Sequence, residues 1–539
     1  MGLFSQEQLS VINQVAQRSM AKASPSVRKS KSKISLQKLD EISKVVIDYF
    51  PDSKAELVTT KEQLHDYITK CIEAGICAID TETTGLDRIR DTIVGTSIYY
   101  PGGVEIYIPS RHIDPIFDEP FNGQLTYEEI GEEYQRLVDA NVKTVWANAD
   151  YDLAMIHKDF KVDMMDTFYY DVITAWRCLK ENEPKNDLKT LYNKYVLKGV
   201  GDPKKFSDFF PHEMYPYCRP EVAKLYAAHD AIITYELMQW QLPYVTKDNP
   251  KCIKNRLQAI ADLVWHVEFP MVRVCQMLHR NGMYIEQSMA DVLRKKYAKR
   301  LQAEHSKLHR MIAELLEDTS HIAKKPRPFA AIEEFNPNSP PHVQWLVYDL
   351  LQLGDGKSRS TDKTVLITFN NPVTDQILKI RSLVTLIGTF VEKLPNAVSS
   401  EGRIHCTFKS IGAVTGRMSS AEPNMQNLPS HETDIRRMFR ATPGYVLMSS
   451  DFSQQEPKLT AYVSQDANMI KAFQDGKDIY SSIAAIAFNK SYDECREFTP
   501  DGEYNPEGKA RRTASKSVVL GRRIVMPTEQ ELHYTNCSV

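Results

Sequence analysis

Apolar residues recur along this chain with two different periods, and the period changes near residue 250. Between about 56 and 245, short apolar runs alternate with amphipathic stretches. AGICAID, ending at Asp80, predicts a buried strand, and VGTSIYYPGGVEIYIP predicts a hairpin turning at Pro101-Gly102-Gly103. KTVWAN predicts another strand, while DLKTLYNKYV and EVAKLYAAHDAIITYELMQ carry helical spacing. Such alternation predicts an α/β domain. From about 250 the pattern turns helical. DVLRKKYAKRLQAEHSKLHRMIAELL places Leu293, Tyr297, Leu301, Leu308, Ile312 and Leu315 on one face and Lys and Arg on the other. Strand-like stretches return at GRIHCTFK and GYVLMSSDFS. Residues 1 to about 50 predict a short helix, a tether (SPSVRKSKSK) and a second amphipathic piece. The tether's Arg28, Lys29, Lys31 and Lys33 read as a solvated linker that could touch phosphates.

Composition changes this picture little. The chain has 539 residues, 42% apolar and 25% charged, room for two to four domains with real cores. A net charge of −3 leaves any polyanion partner to a local basic face. The nine cysteines form no CxxC pair and read as reduced thiols rather than zinc ligands or disulfides. No apolar run reaches the ~20 residues of a membrane span, and the N-terminus lacks a basic start followed by an apolar core. A cytoplasmic setting is expected.

The acidic residues are more informative. Asp80 and Glu82 lie two apart at a strand end, so the pleat sends both carboxylates to one face. Asn148 and Asp152 follow in WANADYD, where a strand runs into a helix. Tyr226 and Asp230 lie at i, i+4 in LYAAHDA, on one helical face. Each pair alone is common on solvated surfaces. Two carboxylates on one face beside the Gly85 turn also suit a divalent cation.

In this order, DTETTGL, NxxxD and YxxxD resemble the three motifs of the DEDD 3′→5′ exonucleases that carry a tyrosine in the last motif. The resemblance spans roughly 56 to 245 and implies a ribonuclease H-like fold. It implies that Asp80, Glu82, Asp152 and Asp230 hold two Mg²⁺ or Mn²⁺ ions, and that Tyr226 orients the attacking water. It further implies positioning by Asn148, contacts of Thr83 and Leu86 with the terminal nucleotide, and a substrate with single-stranded 3′ ends.

The second half resembles family A DNA polymerases. RNGMYIE, FNPNSPPHVQWLVYDLL, KSRSTDKTVL and ILKIRSLVTLIGTFVEKLP follow the order of that family's thumb and early palm. GAVTGRMSSAEPNMQNLP matches TGRxSS…PNxQNxP, which implies that Arg417, Asn424 and Gln426 touch primer–template DNA. SSDFSQQEPKLTAYVS resembles the family's DYSQIELR segment, so Asp451 is expected as a metal ligand and Glu456 as the residue excluding a 2′-hydroxyl. Gln455, Pro457 and Lys458 depart from that pattern. GKDIYSSIAAIAF matches GxDIHxxTA with Tyr480 at the histidine position. ARRTASKSVVLG resembles the fingers helix, with Arg512 and Lys516 gripping the triphosphate and Leu520 where an aromatic is usual.

The resemblance ends after Gly521, and RRIVMPTEQELHYTNCSV is not expected to continue the fingers helix. The second catalytic motif, a His-Asp-Glu hairpin, does not follow, and Tyr492-Asp493-Glu494 is assigned no role. The expected organisation is a helix and basic linker over 1–55, an exonuclease domain over 56–245 and an incomplete right-hand polymerase domain (thumb, part of palm, start of fingers) over 246–539. The absence of room before residue 56 for a 5′ nuclease domain points to a phage-like layout. Three readings follow: a DNA polymerase with proofreading, cut short in its palm; an exonuclease whose polymerase half only binds DNA; or an amino-terminal subunit completed by a C-terminal fragment. Expected partners are primer–template DNA and dNTPs.

Overall fold

The structure, a computed structural model, describes residues 35–524 except 181, 184–186, 212, 320–325, 355–357, 414 and 430–431, with side chains undescribed at 318–319 and 518–524. The expected first helix and the tether's Arg28, Lys29, Lys31 and Lys33 lie outside these residues. The chain divides into two compact units, 1–444 and 445–539.

In the first unit, the second N-terminal amphipathic piece forms α1 (Leu36–Tyr49), which buries Leu39, Ile42 and Val46. The α/β region follows: β1 (Glu56–Leu57), α2 (Lys61–Ala74), β2 (Ile76–Thr83), β3 (Ile93–Tyr99), β4 (Ile106–Pro109), α3 (Tyr127–Asp139), β5 (Lys143–Trp146), α4 (Ala149–Asp159), β6 (Phe168–Asp171), α5 (Val172–Leu179), α6 (Leu188–Tyr195) and α7 (Pro220–Val245). Thr60 with Gln63 and Thr126 with Glu129 cap α2 and α3 reciprocally, satisfying N–H groups that a helix start leaves open.

The six strands form one sheet in the order β1-β4-β3-β2-β5-β6. The hairpin expected around Pro101-Gly102-Gly103 is β3–β4, closed by Gly103 N–H to Tyr100 C=O at 3.0 Å with Gly102 at φ +84°. β2 is central, antiparallel to β3 and parallel to β5. Its pairing shifts register between Glu82 and Thr83, so the strand ends in an irregularity just where the acidic residues sit. Against the sheet lies α7, whose faces carry Tyr226, Ala227, Asp230, Ala231 and Thr234, all buried. The core joins Leu64, Ile68, Ile79, Ile98, Ile108, Tyr134, Trp146 and Ile156.

The helical part of this unit contains α8 (Phe269–Asn281), α9 (Gln287–Thr319) and α10 (Pro372–Leu386). The face expected on α9 is the buried one: Leu293, Tyr297, Leu308 and Ile312 are buried, with Leu301 and Leu315 partly so. GRIHCTFK forms two two- and three-residue strands, Arg403–Ile404 and Thr407–Lys409.

The second unit holds α11 (Gln455–Ser464), α12 (Ala467–Gln474), α13 (Ile479–Phe488) and α14 (Pro506–Ile524). Two expectations are corrected here. GYVLMSSDFS is not a strand: residues 445–452 pair with no strand among the described residues, and Tyr445, Val446 and Met448 are exposed. A strand is an arrangement of two backbones, so an apolar run with β-propensity but no partner stays irregular. The fingers-type helix also continues past Gly521 to Ile524, because one glycine costs only ~1 kcal/mol in a helix and Arg-Arg-Ile resumes good propensity.

Gly95 stands opposite Glu82 on β3, and a Cβ there would lie 2.2 Å from the Tyr107 hydroxyl oxygen. Gly95→Ala is therefore expected to destabilise the unit by about 1–3 kcal/mol through overpacking, read as a lowered midpoint in denaturant unfolding.

Candidate metal centre of the exonuclease-type domain

Asp80 and Glu82 arrive on one face because β2 is pleated, and their partners on β3 are Ser97 and Gly95. Asp230 arrives from α7, one turn after Tyr226. Oxygen atoms of Asp80, Glu82 and Asp230 lie within 4.8 Å of one another, the grouping among the described residues that could hold a metal ion. An all-carboxylate set of hard oxygens fits Mg²⁺ or Mn²⁺ and not a soft, sulfur-seeking ion.

Asp152 is buried on α4, but its Oδ1 faces the strand, accepting from the Thr81 backbone N–H at 3.1 Å and the Thr81 hydroxyl at 2.5 Å. The structure thus groups three of the four expected acids within 4.8 Å and holds the fourth, close enough to act on Asp80, through its hydrogen bonds to Thr81. Asn148 starts α4 in the left-handed region at φ 74° and makes no side-chain cap. Its backbone N–H and that of Ala149 donate to Asp171, both at 3.1 Å. Thr83 turns its hydroxyl inward to the Gly85 carbonyl and the Tyr151 hydroxyl, both at 2.7 Å. Leu86 is 66% exposed at the adjacent turn.

Packing carboxylates this closely is electrostatically costly. Burial first, then Asp152, Asp230 and Glu82, hold the Asp80 carboxyl well above its usual range. Burial and Asp230 do the same to Glu82, and burial pushes Asp152 up to about 7 against the hydrogen bonds from Thr81. Tyr226 is buried among Phe206, Phe209 and Phe210, and burial raises its hydroxyl, with Asp230 next in effect.

Several residues that no motif marked complete the site. Lys189 on α6 places Nζ 2.9 Å from Asp230 Oδ1 and 3.3 Å from the Tyr226 ring centroid. Asp171 caps α5 while it anchors the start of α4. Buried Arg88 pairs with Asp150, whose Oδ1 also accepts from Gln276 of α8 at 2.8 Å. An acid between Asn148 and Asp152 is thereby tied to the helical region. In the sequence these are ordinary charged residues at unremarkable spacings.

The residues expected to handle DNA synthesis are distributed differently. Arg417 and Gln426 are exposed, and Asn424 caps the turn Met425–Asn427 by accepting from Gln426 N–H. Asp451 and Glu456 are exposed in the second unit. Arg512 and Lys516 share a face of α14 over the Tyr480 ring, at 5.4 and 5.7 Å. Arg512 makes a two-pronged ion pair with Asp478, at 2.9 and 3.0 Å. The Leu520 side chain lies outside the described residues. Asp493 and Glu494 serve a local turn, bonding Arg496, Lys490 and Ser491.

The profile of the 3′-5′ exonuclease family matches residues 55–240, and that of DNA polymerase family A matches residues 305–501. The chain thus carries a 3′-5′ exonuclease-type segment followed by a segment similar to DNA polymerase family A. It is 25% identical to DNA polymerase I of Treponema pallidum over 81% of this chain and 44% of the relative. It is 26% identical to that of Borreliella burgdorferi over 86% of this chain and 47% of the relative. It is 31% identical to the thermostable DNA polymerase I of Thermus thermophilus over 50% of this chain and 31% of the relative. The chain thus spans about half the length of the first two relatives. Among solved structures, the POL domain of Pol1 from M. smegmatis, in complex with DNA primer-template and dNTP, shares the fold: TM-score 0.62 at 20% identity, over 88% of this chain and 74% of that one. Among the described residues, no helix is long and apolar enough to cross a membrane.

Raised carboxylate pKa values make the folded protein bind more protons than the unfolded chain between pH ~4 and ~7, so stability without metal falls as pH rises through that window. A divalent ion binds the ionised form, so its stabilisation grows with pH. Thermal melts in EDTA and in Mn²⁺ are expected to diverge from pH 5 to 8. Asp80→Asn is expected to raise the melting temperature in EDTA at pH 8 and to abolish most of the Mn²⁺ effect.

Proposed function

We propose that this chain removes 3′-terminal nucleotides from single-stranded DNA, proofreading for a polymerase region that binds primer–template DNA and dNTPs. The observation that carries the reading is the convergence of Asp80, Glu82 and Asp230 within 4.8 Å, backed by a buried Asp152 and a buried tyrosine one helical turn from Asp230. Those three acids would hold Mg²⁺ or Mn²⁺, two per site. When bound, the ions neutralise the phosphate and lower the barrier to attack on phosphorus.

The chain's own groups do the remaining work. Tyr226, fixed by three phenylalanine rings and by α7, presents its hydroxyl beside the acids and orients the attacking water. Because burial keeps that hydroxyl protonated, it acts as a donor and not as a base. Asp152 adds negative charge behind Thr81. Exposed Leu86 offers an apolar surface for the terminal base, which a frayed end can reach and a paired one cannot. In the second half, Arg417, Asn424 and Gln426 contact DNA. Arg512 and Lys516 bind the triphosphate, Asp451 holds metal and Glu456 selects the deoxyribose.

A second reading, in which exonuclease action is the chemistry and the polymerase region only binds DNA, is favoured by one observation. Among the described residues, the metal-capable grouping of acids is in the exonuclease-type domain, and Asp451 stands exposed outside it.

Asp80→Ala with Glu82→Ala is expected to abolish Mn²⁺-dependent degradation of a 3′-labelled oligonucleotide while gel-shift binding persists. Undiminished degradation would refute the assignment. Tyr226→Phe is expected to slow hydrolysis by on the order of 10²–10³ at saturating metal, with little change in metal affinity. Primer extension in the Asp80→Ala, Glu82→Ala background separates the two readings: extension lost on Asp451→Ala supports synthesis, and binding without extension supports the second.

A further inference from the structure

Lys189 is a cation inside an acidic centre, placed there by a different element from any that carries the acids. It sits in α6, which Asp187 caps and pins through Lys205 at 2.9 Å. Its side chain is 12% exposed, and Nζ lies 2.9 Å from Asp230 Oδ1 and 3.3 Å from the Tyr226 ring centroid. Despite that proximity, neither Lys189 Nζ nor Asp230 Oδ1 has a hydrogen-bond partner of good geometry. A buried ammonium normally satisfies its donors. Here it is held by charge and by the ring face instead, and Asp230 is one of the three acids of the candidate metal centre, whose other two, Asp80 and Glu82, also feel the Lys189 charge.

We propose that Lys189 is a resident counter-ion of this centre, which occupies the cation-attracting side of Asp230 in the metal-free protein and must be displaced when a divalent ion binds. The proposal rests on the exonuclease reading and deepens it. Three acids within 4.8 Å repel one another, and an ammonium offsets part of that repulsion while keeping Asp230 and Tyr226 in place. It carries one charge to the ion's two, so the ion wins at sufficient concentration. A lysine suits this task better than an arginine, because its compact head sits on a flexible stem that can swing away. Lys189 also lines a cleft with Tyr192, Asn193 and Lys204, which offers the stem a second place to lie. Lys189 is accordingly a positioning residue that sets the metal threshold of the site.

The test is Mn²⁺ titration of the full chain without DNA, by calorimetry, with folding checked by circular dichroism. An opposite charge within ~4–6 Å commonly changes a carboxylate's affinity for a competing proton tenfold or more. Lys189→Met is therefore expected to bind Mn²⁺ on the order of tenfold more tightly, to melt lower in EDTA and to gain more from Mn²⁺. Lys189→Arg, which keeps the charge, is expected to bind close to wild type. Lys189→Gln carries the same test should the methionine variant fail to fold. If wild-type binding depends on Asp80 and Glu82 but the uncharged variant binds equally or more weakly, the inference is overturned and the metal centre stands. If wild-type Mn²⁺ binding is indifferent to Asp80→Ala with Glu82→Ala, both the centre and the inference fall.

Discussion

The mutual repulsion of carboxylates at the end of β2 is the constraint on which the rest of this domain depends. Asp80, Glu82 and Asp230 would separate if their backbones allowed it. They do not, because β2 is central in a six-stranded sheet and α7 lies across it with its small residues Ala227 and Ala231 buried. The free energy that holds the acids together comes from elsewhere, from the apolar contacts of Ile79, Ile98 and Trp146 and of Leu237 with its neighbours. The site is a high-energy arrangement stabilised by the core beneath it.

That view explains the other polar groups around it. Thr81 gives Asp152 two hydrogen bonds where a free buried carboxylate would be costly. Asp171 collects backbone N–H groups from the start of α4 and from α5, fixing the loop that delivers Asp152. Tyr151 and Thr83 stitch the turn after β2 to α4 through the Gly85 carbonyl. Lys189 supplies charge of the missing sign. Each is a local answer to the same problem: keeping acids close, oriented and dry enough to capture a cation.

The polymerase region uses a different device. Its basic pair rides on α14, with Lys516 exposed to solvent and Arg512 half-buried, where Asp478 takes its guanidinium and Tyr480 lies beneath both cations. Asp478 also caps α13, so one carboxylate orients both the helix and the arginine. Cations on a helix surface are held by a single carboxylate and a ring face without help from a core. A buried acidic centre must be built into one, and the exonuclease-type domain accordingly carries the denser polar network.

The sequence alone determined whatever depends on neighbours along the chain. Strand and helix periods, the Pro101-Gly102-Gly103 turn, the buried face of α9, and the shared faces of Asp80 with Glu82 and of Arg512 with Lys516 all follow from pleat and helix geometry. The ordered motifs carried the resemblance, and with it the expectation that Asp230 and Tyr226 meet Asp80. Tertiary structure decided what depends on partners distant in sequence. It bound Asp152 to Thr81, brought Lys189 onto Asp230 from α6, and tied Asp150 to Gln276 across more than a hundred residues. It also left GYVLM without a strand partner among the described residues, since strand formation needs a second backbone and no local pattern can supply one. Periodicity records which way a side chain points, but which charge stands opposite is fixed only when the core closes.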